Sequence, residues 1–417
     1  VIISHGGSLM EKVQKIHKKN GITLIYDEKF NEVVMSLRIM FPLKKETATI
    51  ANIMANLFSD RLVHASTKAA LLAKKDNLYG VKVSASSYSI GQYHSIEINL
   101  KGIHQDFVKE PLHQMYYEFL MEFLKTPLID EKTLKEAKKN VKQTLLRLDE
   151  TPSHKALFSA FEYAGKDQTF GVNVYGYLDD IDAITIDEVK VFHQQCVSEF
   201  EKELYIVGRI QEEDFNFSDK FTTQDTPAFH KTYIENETIK ETYKGNQSEI
   251  VLVYETEINP NHPSYYPYLM LLAVLGQSPN SLLFQNIREK ESLCYSIYAS
   301  QLIFDGIFYI GTSINPENEE RVLKLVDAQF EIIREGNFDL EASRNYLINR
   351  LNGTTENTRQ LLDFTVRNQR MGLSDSIEDV IEKFRHVTKE EVIRALDEIK
   401  THLTYIYEGV THENNQQ

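Results

Sequence analysis

Slid against itself by 215 positions, the sequence realigns without a gap, residues 66–100 falling on the stretch that begins at Ser281. Leu78 meets Leu293, Gly91 meets Gly306 and Tyr93 meets Phe308, and the same displacement lays residues 50–58 over residues 265–273. A repeat this long means duplicated domains, because solenoid periods run to roughly 20 to 50 residues. The 417 residues then divide into two halves of about 200, each large enough to bury its own core.

The halves also close alike. Thr185-Ile-Asp-Glu188 and Thr388-Lys-Glu-Glu391 are both T-x-x-E capping boxes that open helices. Each helix leads into a run of β-branched and aromatic residues, 203–207 and 403–407. The reading is α+β: two homologous domains from an internal duplication, each a mostly antiparallel sheet packed with helices. The first domain is expected over 1–215, a polar and acidic linker over 216–240 and the second domain over 241–417, with a polar end from Thr411 to Gln417 expected to fray.

Charge excludes some partners. With 46 basic and 61 acidic residues the net charge is -15, which argues against a nucleic-acid backbone or an anionic membrane face. No run approaches the roughly 18 to 20 apolar residues of a membrane span, and the amino terminus lacks the basic and apolar regions of a signal peptide. Cys196 and Cys294 lie in different halves with no CxxC, so a disulfide framework and a thiolate metal site are not indicated and a reducing cytoplasm is expected.

The second half carries the stretch with chemistry. From Leu275 to Tyr298 it reads as a Gly-containing loop, an amphipathic helix with Leu282, Leu283, Ile287 and Leu293 on its apolar side, and a strand. Arg288 and Tyr295 stand seven residues apart in it. This pattern closely resembles the carboxyl-half signature of the insulinase and pitrilysin-like peptidases, and the resemblance extends over nearly the whole chain. It is most similar to the short bacterial members, and among these to the non-catalytic ones. The resemblance implies two domains that face each other as a half-clamshell, with Arg288 and Tyr295 opening onto the concave side. It also implies their role, since in that family such an Arg and Tyr bind substrate carbonyls and the oxyanion opposite the zinc. A phenol is a directed donor to an oxyanion, and a guanidinium donates from a planar fork.

Catalytic members of the family carry His-x-x-Glu-His on the first long helix. Here that helix, 46–58, places Ala51, Met54 and Ala55 at the expected motif positions, and no histidine occurs between 41 and 63. The third ligand, a glutamate, is expected on the helix after Glu131, where Gln143 and Thr144 stand. His94 and Glu97 are three residues apart in a strand pattern and point to opposite faces. Positions 73 and 80, which the repeat matches to Arg288 and Tyr295, are Ala73 and Gly80.

The chain is therefore expected to bind no zinc or other cofactor and to be inactive alone. The resemblance implies a heterodimer in which a homologous subunit holds the zinc and hydrolyses unstructured peptides, while this chain completes the site. The alternative is a non-catalytic structural or peptide-binding subunit, in which helix packing alone preserves Arg288 and Tyr295.

Overall fold

A computed structural model of the chain describes residues 15–222, 229 and 231–410. The first half holds β1 (Lys15–Lys19), β2 (Ile22–Tyr26), β3 (Glu32–Pro42), β4 (Lys82–Ile90), β5 (Tyr93–Ile103) and β6 (Glu201–Gly208). They form one sheet in the order β1-β2-β6-β3-β5-β4. The second half holds β7 (Glu237–Lys244), β8 (Ser248–Thr256), β9 (Cys294–Leu302), β10 (Ile307–Ile314) and β11 (Ile399–Val410), in the order β7-β11-β8-β10-β9. Without β1 the two orders are the same. Each sheet has one parallel pair, β2 with β6 and β7 with β11, and is otherwise antiparallel. The duplication read from the sequence is thus a duplication of topology. Gly91 and Gly306 are matched for a physical reason, since each turns the hairpin before the β5 or β10 strand at positive φ.

Helices follow the same plan. The first half has α1 (Lys45–Leu57), α2 (Lys68–Asn77), α3 (Leu112–Lys125), α4 (Glu131–Asp149), α5 (Pro152–Gly165), α6 (Leu178–Ile181) and α7 (Ile186–Ser198). The second has α8 (Tyr265–Leu272), α9 (Glu319–Arg334), α10 (Leu340–Thr355), α11 (Thr358–Arg370), α12 (Ile377–His386) and α13 (Lys389–Asp397). Thr185 and Thr388 cap α7 and α13 with the expected reciprocal bonds to Glu188 and Glu391. In place of a counterpart to α2, the second half has a π-helix, Phe284–Lys290.

Two helices are exchanged between the halves. In the first half α5 lies on the second sheet, its Ala156, Ala160, Phe161 and Ala164 buried against Val251, Val253, Leu403 and Tyr405. Alanines spaced at i and i+4 let the helix approach the strands closely. Reciprocally α11 lies on the first sheet against β3 and β6. This explains why β3 and β8 are buried almost end to end rather than in alternation: helices cover both faces of each sheet.

The α11 contact is ionic where the α5 contact is apolar. Arg359 donates to Glu97 at 2.8 Å and to Asn99 at 2.7 Å, Arg38 pairs with Glu97 at 2.9 Å, and Arg370 pairs with Glu203 in a fully buried bond. The segment read as linker is not free of structure. Phe221 packs into the first core, Ile234 into the core under α5, and β7 opens at Glu237, four residues before the expected start of the second domain. Residues 223–228 and 230 of that segment, and the polar end 411–417, lie outside the described residues.

Candidate functional site

The helix expected to carry a zinc motif is α1, and it faces two ways. Ala51, Met54 and Ala55 are buried in the first core with Ile53 and Leu57. Groups at 51 and 54 would point into that core, which favours a histidine pair one residue later on the helix. The half-buried side carries Asn52 and Asn56, at the i and i+4 spacing of the two histidines in His-x-x-Glu-His, with Ala55 at the glutamate position. Opposite them α4 brings Asn140, whose amide donates to Asn56 Oδ1 at 3.2 Å. Gln143 and Thr144 stand one turn further along α4, Gln143 exposed and Thr144 half-buried.

In that register neutral amides, Asn52 and Asn56 on α1 and Asn140 on α4, take the places of two imidazoles and a carboxylate. Asn52 also donates to the Val174 carbonyl at 2.7 Å, and Asn56 to the Asn52 carbonyl at 3.0 Å, so these side chains are spent on backbone. An Asn amide is a poor zinc ligand beside imidazole or carboxylate. Among the described residues no group of three or more His, Cys, Asp or Glu could hold a metal ion. His94 and Glu97 part as expected: His94 bonds Ser87 and lies against Phe41, with burial holding it neutral at a pKa of about 4, while Glu97 turns to Ser36 and Arg38.

On the second half the sequence led to an ordinary amphipathic helix, and the structure has a π-helix. Such wide turns are rare and concentrate at functional sites. Arg288 sits near its end, partly exposed, its guanidinium 4.6 Å over the Phe284 ring and Nε 4.0 Å from Glu289. Tyr295 follows on β9 at a β-bulge: Cys294 pairs with Ile314 and Ser296 with Ser313, leaving Tyr295 as the extra residue. Ile297 and Ala299 point inward, so an unbroken strand would bury residue 295. The bulge turns it out instead, and Tyr295 is 60 % exposed.

Its hydroxyl lies 3.5 Å from Asn315 Oδ1, in a recess of about 480 Å³ lined also by Tyr243, Gln247 and Pro152 at the start of the exchanged α5. Arg288 does not line this recess, and no hydrogen bond joins it to Tyr295. Beside Tyr295 a polar row crosses the strands: Ser296 donates to Ser313, which donates to Glu249. Burial pushes the Glu249 carboxyl above its ordinary value, with Ser313 opposing the shift. The sequence reading missed this row, because period-two alternation marks a face and not which strands meet on it.

No helix among the described residues is long and apolar enough to cross a membrane. Residues 183–347 match the family described as the Peptidase M16 inactive domain. A Bacillus subtilis (strain 168) protein named "Probable inactive metalloprotease YmfF" is 24% identical over 94% of this chain and 97% of its own. Among solved structures, a conserved protein from Enterococcus faecalis superposes with a TM-score of 0.86 at 21% identity, over 95% of this chain and 98% of its own. A peptidase M16 inactive domain from Pseudomonas fluorescens follows at a TM-score of 0.77 and 14% identity, over 95% and 98%. A protease from Helicobacter pylori reaches 0.75 at 16%, over 95% and 100%. By these likenesses the chain is similar over nearly its whole length to the inactive M16 metallopeptidases, the insulinase and pitrilysin-like kind, and its own sequence carries no His-x-x-Glu-His.

Proposed function

We propose that this chain is the zinc-less subunit of a heterodimeric peptidase, in the reducing cytoplasm, and that it supplies Arg288 and Tyr295 to a site whose zinc, ligands and general base belong to a homologous partner. The observation that carries the reading is the bulge at Tyr295. A strand that only packed would keep its alternation and bury the ring, whereas this one departs from it and presents a phenol to solvent. In the assembled pair the partner's zinc would polarise the scissile carbonyl and activate water. Tyr295 would donate to the oxyanion as it forms, and Arg288, held over Phe284, would hold carbonyls of an extended, unstructured peptide before the reaction.

A non-catalytic, peptide-binding role is the second reading, favoured by the separation of Arg288 from the recess at Tyr295. Reconstitution with a zinc-bearing homologue distinguishes them. Peptide hydrolysis should require both chains, with zinc only on the partner, and should fall when Tyr295 becomes Phe. Full turnover by the partner alone overturns the proposal.

A further inference from the structure

The duplication gives the second half its own version of the cleft between α1 and α4 in the first. There α8 and the π-helix Ala273–Gln277 stand for α1, α10 for α4, α11 for α5 and β9 for β4. This second cleft is open, with a volume of about 820 Å³, inside the roughly 300–1,000 Å³ typical of ligand pockets. Its walls are aromatic: Tyr266, Tyr298, Tyr346 and Phe364.

Its polar groups do not balance. Arg350 of α10 and Arg367 of α11 both line it, and neither guanidinium makes an ion pair among the described residues. Arg367 is exposed at the mouth of the cleft, and desolvation by its crowded neighbours together with the Arg350 charge lowers its pKa. The carboxylate at hand, Asp363, is already taken by Arg38 at 3.3 Å and Arg359 at 2.9 Å. On the β9 side the Gln301 side-chain oxygen is buried without a donor. The cleft thus offers two cations and an acceptor beside aromatic walls, in a chain of net charge -15.

We propose that this cleft binds the carboxyl terminus of an extended peptide whose last residues are apolar or aromatic. The terminal carboxylate lies between Arg350 and Arg367 and relieves their repulsion, a backbone N–H of the peptide donates to Gln301, and the terminal side chain enters among the tyrosines. The site is separate from Arg288 and Tyr295 and needs no partner subunit, so its failure and the failure of the heterodimer reading are distinguishable.

The test uses the full chain alone and a fluorescein-labelled hexapeptide ending in Leu-Phe, as the free acid and as the carboxyl-terminal amide, measured by fluorescence anisotropy. Hydrogen bonds to charged groups are worth roughly 1.5 to 3 kcal/mol, so the acid should bind about 10- to 100-fold more tightly than the amide. Arg367→Gln should remove most of that preference and leave amide binding unchanged, a pattern that a purely structural arginine would not give. Arg350→Gln, on the exposed side of α10, should act in the same direction and serves where Arg367→Gln does not fold. Equal binding of acid and amide, binding of neither, or an acid preference that survives both substitutions overturns the proposal.

Discussion

Glu97 is where the two halves are tied by charge, and replacing it by Gln tests how much that tie contributes. Its side chain is 1% exposed and meets Arg38, itself 4% exposed, and Arg359 from the exchanged helix α11. Burial alone would raise the carboxyl, but Arg38, Arg359 and Ser36 outweigh it and hold it at about 2 against an ordinary 4.5. That difference corresponds to about 3 kcal/mol of stability at neutral pH. Since the folded-state value is the lower one, this stability is fully present above pH 4.5 and drains away as pH falls toward about 2. Glu97→Gln keeps the shape and leaves Arg38 with only the half-exposed Asp363, so a cost of about 3 to 5 kcal/mol follows from stranding a buried guanidinium. For a cooperative unit of about 200 residues that lowers Tm by roughly 6 to 12 °C, read by circular dichroism at pH 7. The gap between Glu97→Gln and the unsubstituted protein should close as pH is lowered below 4. An unchanged Tm at pH 7, or a gap that widens in acid, refutes the reasoning.

In the reconstituted pair, Tyr295→Phe should cut turnover by about 100- to 1000-fold without loss of co-purification, and Arg288→Ala should act more through apparent substrate affinity; unchanged kinetics in both would make the chain a scaffold. The unsubstituted chain should hold no stoichiometric zinc by elemental analysis, whereas a combined Asn52→His, Ala55→Glu, Asn56→His, Asn140→Glu variant should bind about one, since two i, i+4 imidazoles and a facing carboxylate form a three-ligand site. The same changes at Ala51, Met54, Ala55 and Gln143 should instead unfold the first domain, seen as lost near-ultraviolet dichroism. A protease site placed within 223–228 should, after cutting, leave two fragments that co-elute in gel filtration, because α5 and α11 each pack on the other fragment's sheet.

Much of the fold was legible because the repeat is local. Gly91 and Gly306, the two T-x-x-E boxes and the strands they lead into each depend on a few neighbouring residues. The exchange of α5 and α11 was not legible, since an apolar stripe such as Ala156, Ala160 and Ala164 states that a helix is buried but not on which sheet. The candidate site was legible only as a spacing. Spacing singled out Arg288 and Tyr295, but the bulge that exposes Tyr295 depends on how β9 registers with β10, which no local pattern states. Asn52 and Asn56 did carry a signal, an i, i+4 polar pair in the otherwise apolar run 50–57, which marks a face of α1 that counting from the ends does not.

Why asparagines should stand there follows from what a metal-less site has to satisfy. Remove zinc from two imidazoles and a carboxylate, and the carboxylate loses its counter-charge in a half-buried cleft, at a cost of a few kcal/mol. Removing the side chains altogether would open space between α1 and α4 and strand the Val174 carbonyl. An amide avoids both, because it is neutral and carries a donor and an acceptor together. Asn52 meets Val174, and Asn140 meets Asn56, which itself bonds the Asn52 carbonyl one turn back. The helices are thereby tied through neutral hydrogen bonds, with no buried charge to compensate. On the heterodimer proposal, a face emptied of charge can still lie against a homologous, zinc-bearing chain without stranding a carboxylate.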